Sequence, residues 1–357
     1  MKVTLIQKDD FIGDIRYNGD YMVLSKIHKI EIWNKENLTF SEKTDSESPV
    51  ILSTTRKVGV KDIFQIKIID YILNRIVVYS SEIISSAPFR QIYQDNKLLL
   101  SHGKDVFTSI APLTLCILEN GIVQKQWETL PMPINQLNVK AENGYIFVPN
   151  YELNLISVLD DRDGSLLWHF NISQLGPYYD NSRLDIPPQE CKRKIDKIYY
   201  HNDKVVVTLS RGIVALHPQT GELLWKLLFD NRYTDNLIFD ENIIYSGCGF
   251  CYTVIDIEQG KVLYTNDQQP KEIVNIGGKD ILRKWVSYRS FCLRNRFIWS
   301  YLLYDGCWYL LKLEPATGKV VDSCALPIGL SQDPIFIENT IYMRDMDGFL
   351  NIFELEE

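Results

Sequence analysis

Histidine is scarce in this sequence: the five present, at 28, 102, 169, 201 and 217, are too scattered to suggest a metal cluster. No two cysteines are adjacent. The seven cysteines are odd in number and irregularly spaced, which argues against a disulfide framework and for a reducing compartment. Positive charge is outnumbered, with 38 Lys and Arg against 46 Asp and Glu for a net charge of −8. A phosphate-binding face wants the opposite sign, so nucleic acid is not expected as the main partner. Nowhere does an apolar stretch approach the ~18 residues that a membrane span requires. The opening segment, MKVTLIQKDDFIGDIRY, meets Lys8, Asp9 and Asp10 before a signal-peptide core forms. These absences lead to the expectation of a cytoplasmic protein, in which the sequons at Asn37 and Asn171 are incidental. Helical periodicity is nearly missing as well, which sets aside helical solenoids.

The composition is that of a folded globular chain: 45% hydrophobic and 24% charged residues exclude wholesale disorder. What fills the sequence is a worn repeat. The stretches DGSLLW (163–168), TGELLW (220–225), QGKVLY (259–264) and TGKVVD (317–322) each follow an alternating or apolar segment. A further strand-like segment precedes most of them, as in GYIFVPN, KVVVTLS and NIIYSG. The unit reads strand, turn, strand, tight glycine turn, strand, supported by period-two patterning and β-branched residues. Successive turn glycines lie at 121, 164, 221, 260 and 318. Two of the steps are about forty residues, as a four-stranded propeller blade requires, and two are longer, which implies insertions. The pattern weakens upstream but persists in ILENGIVQKQW (117–127), around Asn74, and in HKIEIWNKENLTF (28–40).

LHPQTGELLW and LDDRDGSLLW resemble the quinoprotein-type, or PQQ-like, β-propeller repeat, whose blades typically carry L-D-x-x-T-G-x-x-x-W. LEPATGKVVD keeps the turn but has Asp322 where the tryptophan belongs, and IDIEQGKVLY has Tyr264 there. The resemblance is strong over about 140–357 and weaker over about 18–128. It implies an all-β propeller of four-stranded antiparallel blades. It implies little about chemistry, because the family includes dehydrogenases, assembly scaffolds and plain binding modules.

In such a repeat Gly164, Gly221, Gly260 and Gly318 supply a positive φ in a tight hairpin. Trp168, Trp225 and Tyr264 then stand on the outer strand, facing the neighbouring blade. Seven outer turns are legible, near Asn37, Asn74, Gly121, Gly164, Gly221, Gly260 and Gly318. Two more strands follow the last turn, and the β-prone MKVTLIQK can supply the missing outer strand and close the ring. The expectation is one domain over 1–357 with eight blades; seven is the alternative if the weak half holds one fewer.

Three features invite a chemical reading. Cys248 and Cys251 form a CxxC, but no second pair or histidine pair follows, and they lie between two expected strands rather than at a helix start. They read as ordinary strand and turn residues. Relatives that bind the quinone use calcium ligands, an aspartate base and often adjacent cysteines; this chain has no Cys–Cys pair and is much shorter. No cofactor, metal or catalytic residue is expected.

The third feature is the insertions at 174–194 and 266–290. The first offers Tyr178, Tyr179, Asp180, Arg183, Lys192 and Arg193; the second offers Arg283, Lys284, Trp285, Tyr288 and Arg289. Tyr, Trp and Arg dominate protein-interface hot spots, and loops on a rigid scaffold commonly carry function. The competing reading is that the aromatics pack beneath their own loops and the charges are merely solvated. The resulting expectation is a monomeric, non-catalytic propeller that binds a protein. Its acidity would suit a basic partner, but solubility alone is the better explanation of moderate acidity. A bacterial immunity protein that neutralises a cognate toxin fits best; an assembly scaffold, a small-molecule sensor and a dehydrogenase-like enzyme are the alternatives.

Overall fold

The computed structural model describes the chain outside residues 18–20, 27–28, 35–36, 44–49, 54–56, 62–64, 71–74, 81–88, 94–95, 102–108, 121, 135–138, 181–186, 188, 230–236, 250, 267–272, 283–287 and 357. The expected turns at Asn74 and Gly121 lie outside the described residues. What is described is β structure, apart from one 3₁₀ turn, Ile172–Leu175, capped by the Asn171 side chain. No helix among these residues is long and apolar enough to cross a membrane.

Strands follow one another as antiparallel neighbours, four to a repeat. The chain begins with β1 (Lys2–Tyr17), β2 (Met22–Lys26), β3 (Lys29–Asn34) and β4 (Asn37–Lys43). Next come β5 (Val50–Ser53), β6 (Lys57–Lys61), β7 (Gln65–Asp70) and β8 (Arg75–Ser80). The third repeat spans β9 (Phe89–Tyr93), β10 (Lys97–Ser101), β11 (Ser109–Ala111), β12 (Leu113–Glu119), β13 (Ile122–Glu128) and β14 (Met132–Ile134), with β11 and β14 paired to each other. The fourth is β15 (Lys140–Glu142), β16 (Tyr145–Asn150), β17 (Leu155–Asp160) and β18 (Leu166–Asn171). The hairpin β19 (Tyr178–Asp180) and β20 (Gln189–Cys191) intervenes before β21 (Ile195–His201), β22 (Lys204–Leu209), β23 (Gly212–Leu216) and β24 (Leu223–Leu228). The sixth is β25 (Leu237–Asp240), β26 (Ile243–Gly249), β27 (Cys251–Asp256) and β28 (Lys261–Thr265), followed by the hairpin β29 (Ile273–Ile276) and β30 (Lys279–Leu282). The chain ends with β31 (Tyr288–Arg294), β32 (Phe297–Tyr304), β33 (Cys307–Leu313), β34 (Val320–Leu326), β35 (Ile335–Ile337), β36 (Thr340–Arg344) and β37 (Phe349–Glu356).

This architecture is a β-propeller of four-stranded antiparallel blades, but the expected eight separate blades become seven units. The reason is β1, a single uninterrupted strand. Lys2–Phe11 pair with β37 and Ile12–Tyr17 pair with β2. The first and last repeats therefore share β1 in one seven-stranded sheet, β35-β36-β37-β1-β2-β3-β4. Six four-stranded blades complete the set. Two of these, β25–β28 and β31–β34, are bridged by the pairs Cys248 with Arg289 and Gly249 with Tyr288.

Blade contacts repeat one device. The buried rings of Trp127, Trp168 and Trp225 lie on Gly164, Gly221 and Gly260 of the following blade's turn. Each glycine has a positive φ, and a Cβ there would fall within 2.6, 2.6 and 2.4 Å of ring carbon. Each indole Nε1 donates to a carbonyl of that same turn segment: Asp161 at 2.9 Å, Pro218 at 2.7 Å and Ile257 at 2.7 Å. Burying such a ring removes ~150–250 Å² from water, of order 4–6 kcal/mol gross at ~25 cal/mol per Å².

The next position corrects the sequence reading. The third-to-fourth strand register recurs as Ile32–Phe40, Leu115–Trp127, Val158–Trp168, Ala215–Trp225, Val254–Tyr264 and Lys312–Asp322, each with a bulge beside it. Tyr264 thus occupies the tryptophan register, yet the ring on Gly318 belongs to Tyr252 of β27. Tyr252 is fully buried, and its hydroxyl donates to the Pro315 carbonyl at 2.7 Å. Asp322, in the same register one blade further, faces a sheet in which no turn joins β37 to β1. Its carboxylate instead pairs with the α-ammonium of Met1 at 2.7 Å.

Candidate protein-interaction face

An antiparallel four-stranded repeat sorts its connections by end: first-to-second and third-to-fourth turns at one end, second-to-third turns and blade crossovers at the other. The first end is made of tight polar turns. Its described residues include Asn143–Gly144, Asn202–Asp203, His217–Glu222, Glu241–Asn242, Asn295–Arg296 and Glu338–Asn339. Several adopt positive φ, as Asn143, Asn202 and Asn295 do, which suits asparagine and glycine. Both insertions and the β11–β14 pair fall at the other end, the crossover end.

The first insertion divides in two. Tyr178 opens β19, opposite Cys191 on β20, and its side chain is buried. The guanidinium groups of Arg193 and Arg211 lie 5.7 and 5.3 Å from its ring centre. Arg193 is itself buried: Nη1 donates to the carbonyls of Arg211 and of Phe229 (3.0 Å), and Nη2 to that of Pro177 (3.2 Å). Asn154 donates to the Arg193 carbonyl from the preceding blade. Burial pushes the Tyr178 phenol up, with Cys191 adding to the rise and Arg211 opposing it. Tyr178 and Arg193 therefore fasten the hairpin to the blades and are not available to a partner. Tyr179 is 53% exposed, and Lys192 is exposed too. Asp180 closes β19 opposite Gln189, and Arg183 lies outside the described residues.

The described part of the second insertion is also largely structural. Val274, Ile276 and Ile281 enter the core between the two blades that flank it. Gly277 lies against the Tyr309 ring, and its amide donates to Ser323 Oγ at 2.9 Å. Arg283, Lys284 and Trp285 lie outside the described residues. Tyr288 begins β31. Arg289 follows it, exposed, 3.8 Å from the Asp333 carboxylate and 5.6 Å from the Tyr301 ring centre. Tyr301 donates its hydroxyl to Asp333 at 2.7 Å. Arg289 is thus held at the crossover end by an aromatic face and an acid.

The crossover end carries residues that motif reading passed over. Leu130 (86% exposed) lies between β13 and β14, Leu153 between β16 and β17, and Met346 (69% exposed) between β36 and β37. Leu303 is exposed near the end of β32, just before the Asp305–Gly306 turn. The described turn residues of the opposite end are polar, although Ile122 (67% exposed), Leu166, Leu38 and Tyr17 stand exposed on the strands beside those turns. Single exposed apolar residues are ordinary on any protein; what distinguishes the crossover end is that Leu130, Leu153 and Met346 lie in its turns themselves. The only legible signal was strand counting, which assigns each turn to an end.

Chemical sites are sparse. Cys248 and Cys251 oppose each other where β26 turns into β27. Among the described residues no group of His, Cys, Asp or Glu is arranged to hold a metal ion.

No family model matches the sequence, and no curated protein matches it. Solved structures are similar in fold at low identity. BamB from Moraxella catarrhalis is 11% identical with a TM-score of 0.58, over 99% of this chain and 100% of that one. The computationally designed Ika8 protein is 12% identical with a TM-score of 0.63, over 99% and 98% of the two chains. Saccharomyces cerevisiae Sqt1 is 9% identical with a TM-score of 0.61, over the full length of both. At such identities the likeness is one of fold, and the fold is the β-propeller.

Proposed function

We propose that this chain is a non-catalytic protein-binding propeller that meets its partner through the crossover end. The observation that carries the reading is the character of the turns: Leu130, Leu153 and Met346 exposed within those of the crossover end, with Tyr179 and Leu303 beside them, against turns of polar residues at the other end. Apolar side chains on rigid turns lose little freedom on binding and displace water, and a stacked arginine such as Arg289 is a frequent interface anchor. The partner we favour is a toxin domain, with this chain acting as its cytoplasmic bacterial immunity protein and binding as a monomer. A net charge of −8 suits a basic partner, and tight binding without catalysis is what neutralisation requires.

The test is co-purification of the tagged protein with the products of its neighbouring genes. Capture of one defined partner is expected. Leu130→Asp and Met346→Asp should abolish it, and Gln219→Glu at the opposite end should leave it intact. Absence of any captured partner, or loss only with the opposite-end variant, would refute the reading.

A further inference from the structure

The inner strands that face the propeller axis are uneven where the chain's two ends meet. β31 has seven residues, and the part of β1 paired to β2 runs from Ile12 to Tyr17, whereas β35 between them has three. Pro334 directly precedes β35; it lacks a backbone donor and so limits the strand at that end. The shortfall leaves a recess of about 650 Å³ in the wall. That size falls within the ~300–1,000 Å³ of pockets that enclose small molecules.

The lining is mainly apolar, from Ile15, Leu293, Ile335 and Phe336, with charge at defined places. Arg16 and Arg294 both line it. Each stands at the far end of its strand from the crossovers. Arg294 is held in place: its guanidinium lies 4.9 Å from the Phe336 ring centre and donates to the Glu338 carbonyl. Arg16, which is exposed, pairs with the half-buried Asp14 at 2.9 Å, a surface contact that solvent screens and that a ligand can exchange. At the crossover end of the recess stands Asp333, already accepting from Tyr301.

We propose that this recess binds a small organic monoanion: one carboxylate or phosphate on an apolar body, with a hydrogen-bond donor at its far end. The two guanidinium groups present forked donors that match either anion. The apolar wall takes the body, and Asp333 accepts from the donor. The same carboxylate repels a second negative charge, so polyanions are disfavoured. The site stands apart from the crossover turns and does not depend on the protein-binding reading.

Calorimetric titration of the intact chain tests it with four probes: para-hydroxyphenylacetate, para-hydroxybenzylphosphonate, the neutral para-hydroxyphenylacetamide and benzene tricarboxylate. Saturable binding of one or both of the first two is expected, and which of them binds separates a carboxylate ligand from a phosphate one. The amide and the tricarboxylate should bind at least about tenfold more weakly. Arg16→Gln and Arg294→Gln should each weaken the preferred anion about tenfold or more, while Gln219→Glu leaves it unchanged. Arg16 is exposed enough that its variant folds, and thermal unfolding checks both. No binding of either anion at millimolar concentration, equal binding of the amide, or indifference to both arginine variants would overturn the assignment.

Discussion

The phenol ring of Tyr252 covers Gly318 of the next blade and donates to Pro315 at 2.7 Å, in the place where the preceding three blades use a tryptophan. Tyr252→Ala should cost about 3–5 kcal/mol, as loss of a buried aromatic does. Tyr252→Phe should cost about 1 kcal/mol for the hydrogen bond alone. Tyr264→Ala should cost less than half of the Tyr252→Ala loss, because its ring is only partly buried and does not lie on Gly318. Urea unfolding of the three variants ranks them, and equal losses at 252 and 264 would contradict the assignment.

Gly260→Ala meets two obstacles: a φ of +63° and a Cβ falling 2.4 Å from the Trp225 ring. The backbone strain is about 1–2 kcal/mol. The steric part depends on the ring, so it should vanish when Trp225 is alanine. A double-mutant cycle should therefore return a coupling above about 0.5 kcal/mol, and additivity would show that the ring and the glycine do not touch.

Glu31 should contribute to the protein's acid sensitivity. Burial pushes its carboxyl up, but hydrogen bonds from Lys29 and Lys26, with Trp33 Nε1 at 3.1 Å, more than offset this and hold it below the ordinary carboxylate value. A group with a lowered folded pKa stabilises above its unfolded value, about 4.3, and that contribution is lost as pH falls. Glu31→Gln should lower stability at neutral pH and flatten the loss between neutral and acid conditions. A parallel pH profile would remove Glu31 as a contributor.

Thiol reactivity should separate the cysteines. Burial pushes Cys292 up to about 12 and Cys116 and Cys324 up to about 11, so at neutral pH they remain protonated and unreactive. Their modification should accelerate only as pH rises toward those values. Cys307 is exposed at the start of β33. Peptide mapping after brief iodoacetamide treatment should find Cys307 labelled well before the other three.

The repeat was readable because its parts are local. TGELLW encodes a hairpin through one glycine and one periodicity, and both survive in the structure at 164, 221, 260 and 318. What was not readable depends on neighbours in space. Tyr252 and Tyr264 are both aromatic and lie on adjacent strands; only packing decides which one reaches Gly318. Asp322 looked like decay of the motif, yet it stands opposite an ammonium group contributed by the other end of the chain. Tyr178 and Arg193 had the composition of an interface, but the Arg211 that completes their buried cluster lies on a separate turn. The exposed Leu130 and Met346 belong to no motif. They become meaningful only once the strands are counted and the two ends distinguished.

The double role of β1 also bears on how the protein is made. A ribosome delivers Val3 long before its partner Leu355, with every intervening blade made between them. Until then, the leading half of β1 is a strand edge without its neighbour, during a period when the intervening blades can already form. Pairings this distant in sequence are the slow ones, and an open edge invites pairing with another chain. The strand that joins the finished sheet is thus the one a nascent chain must keep unspent for longest, and synthesis itself sets how long.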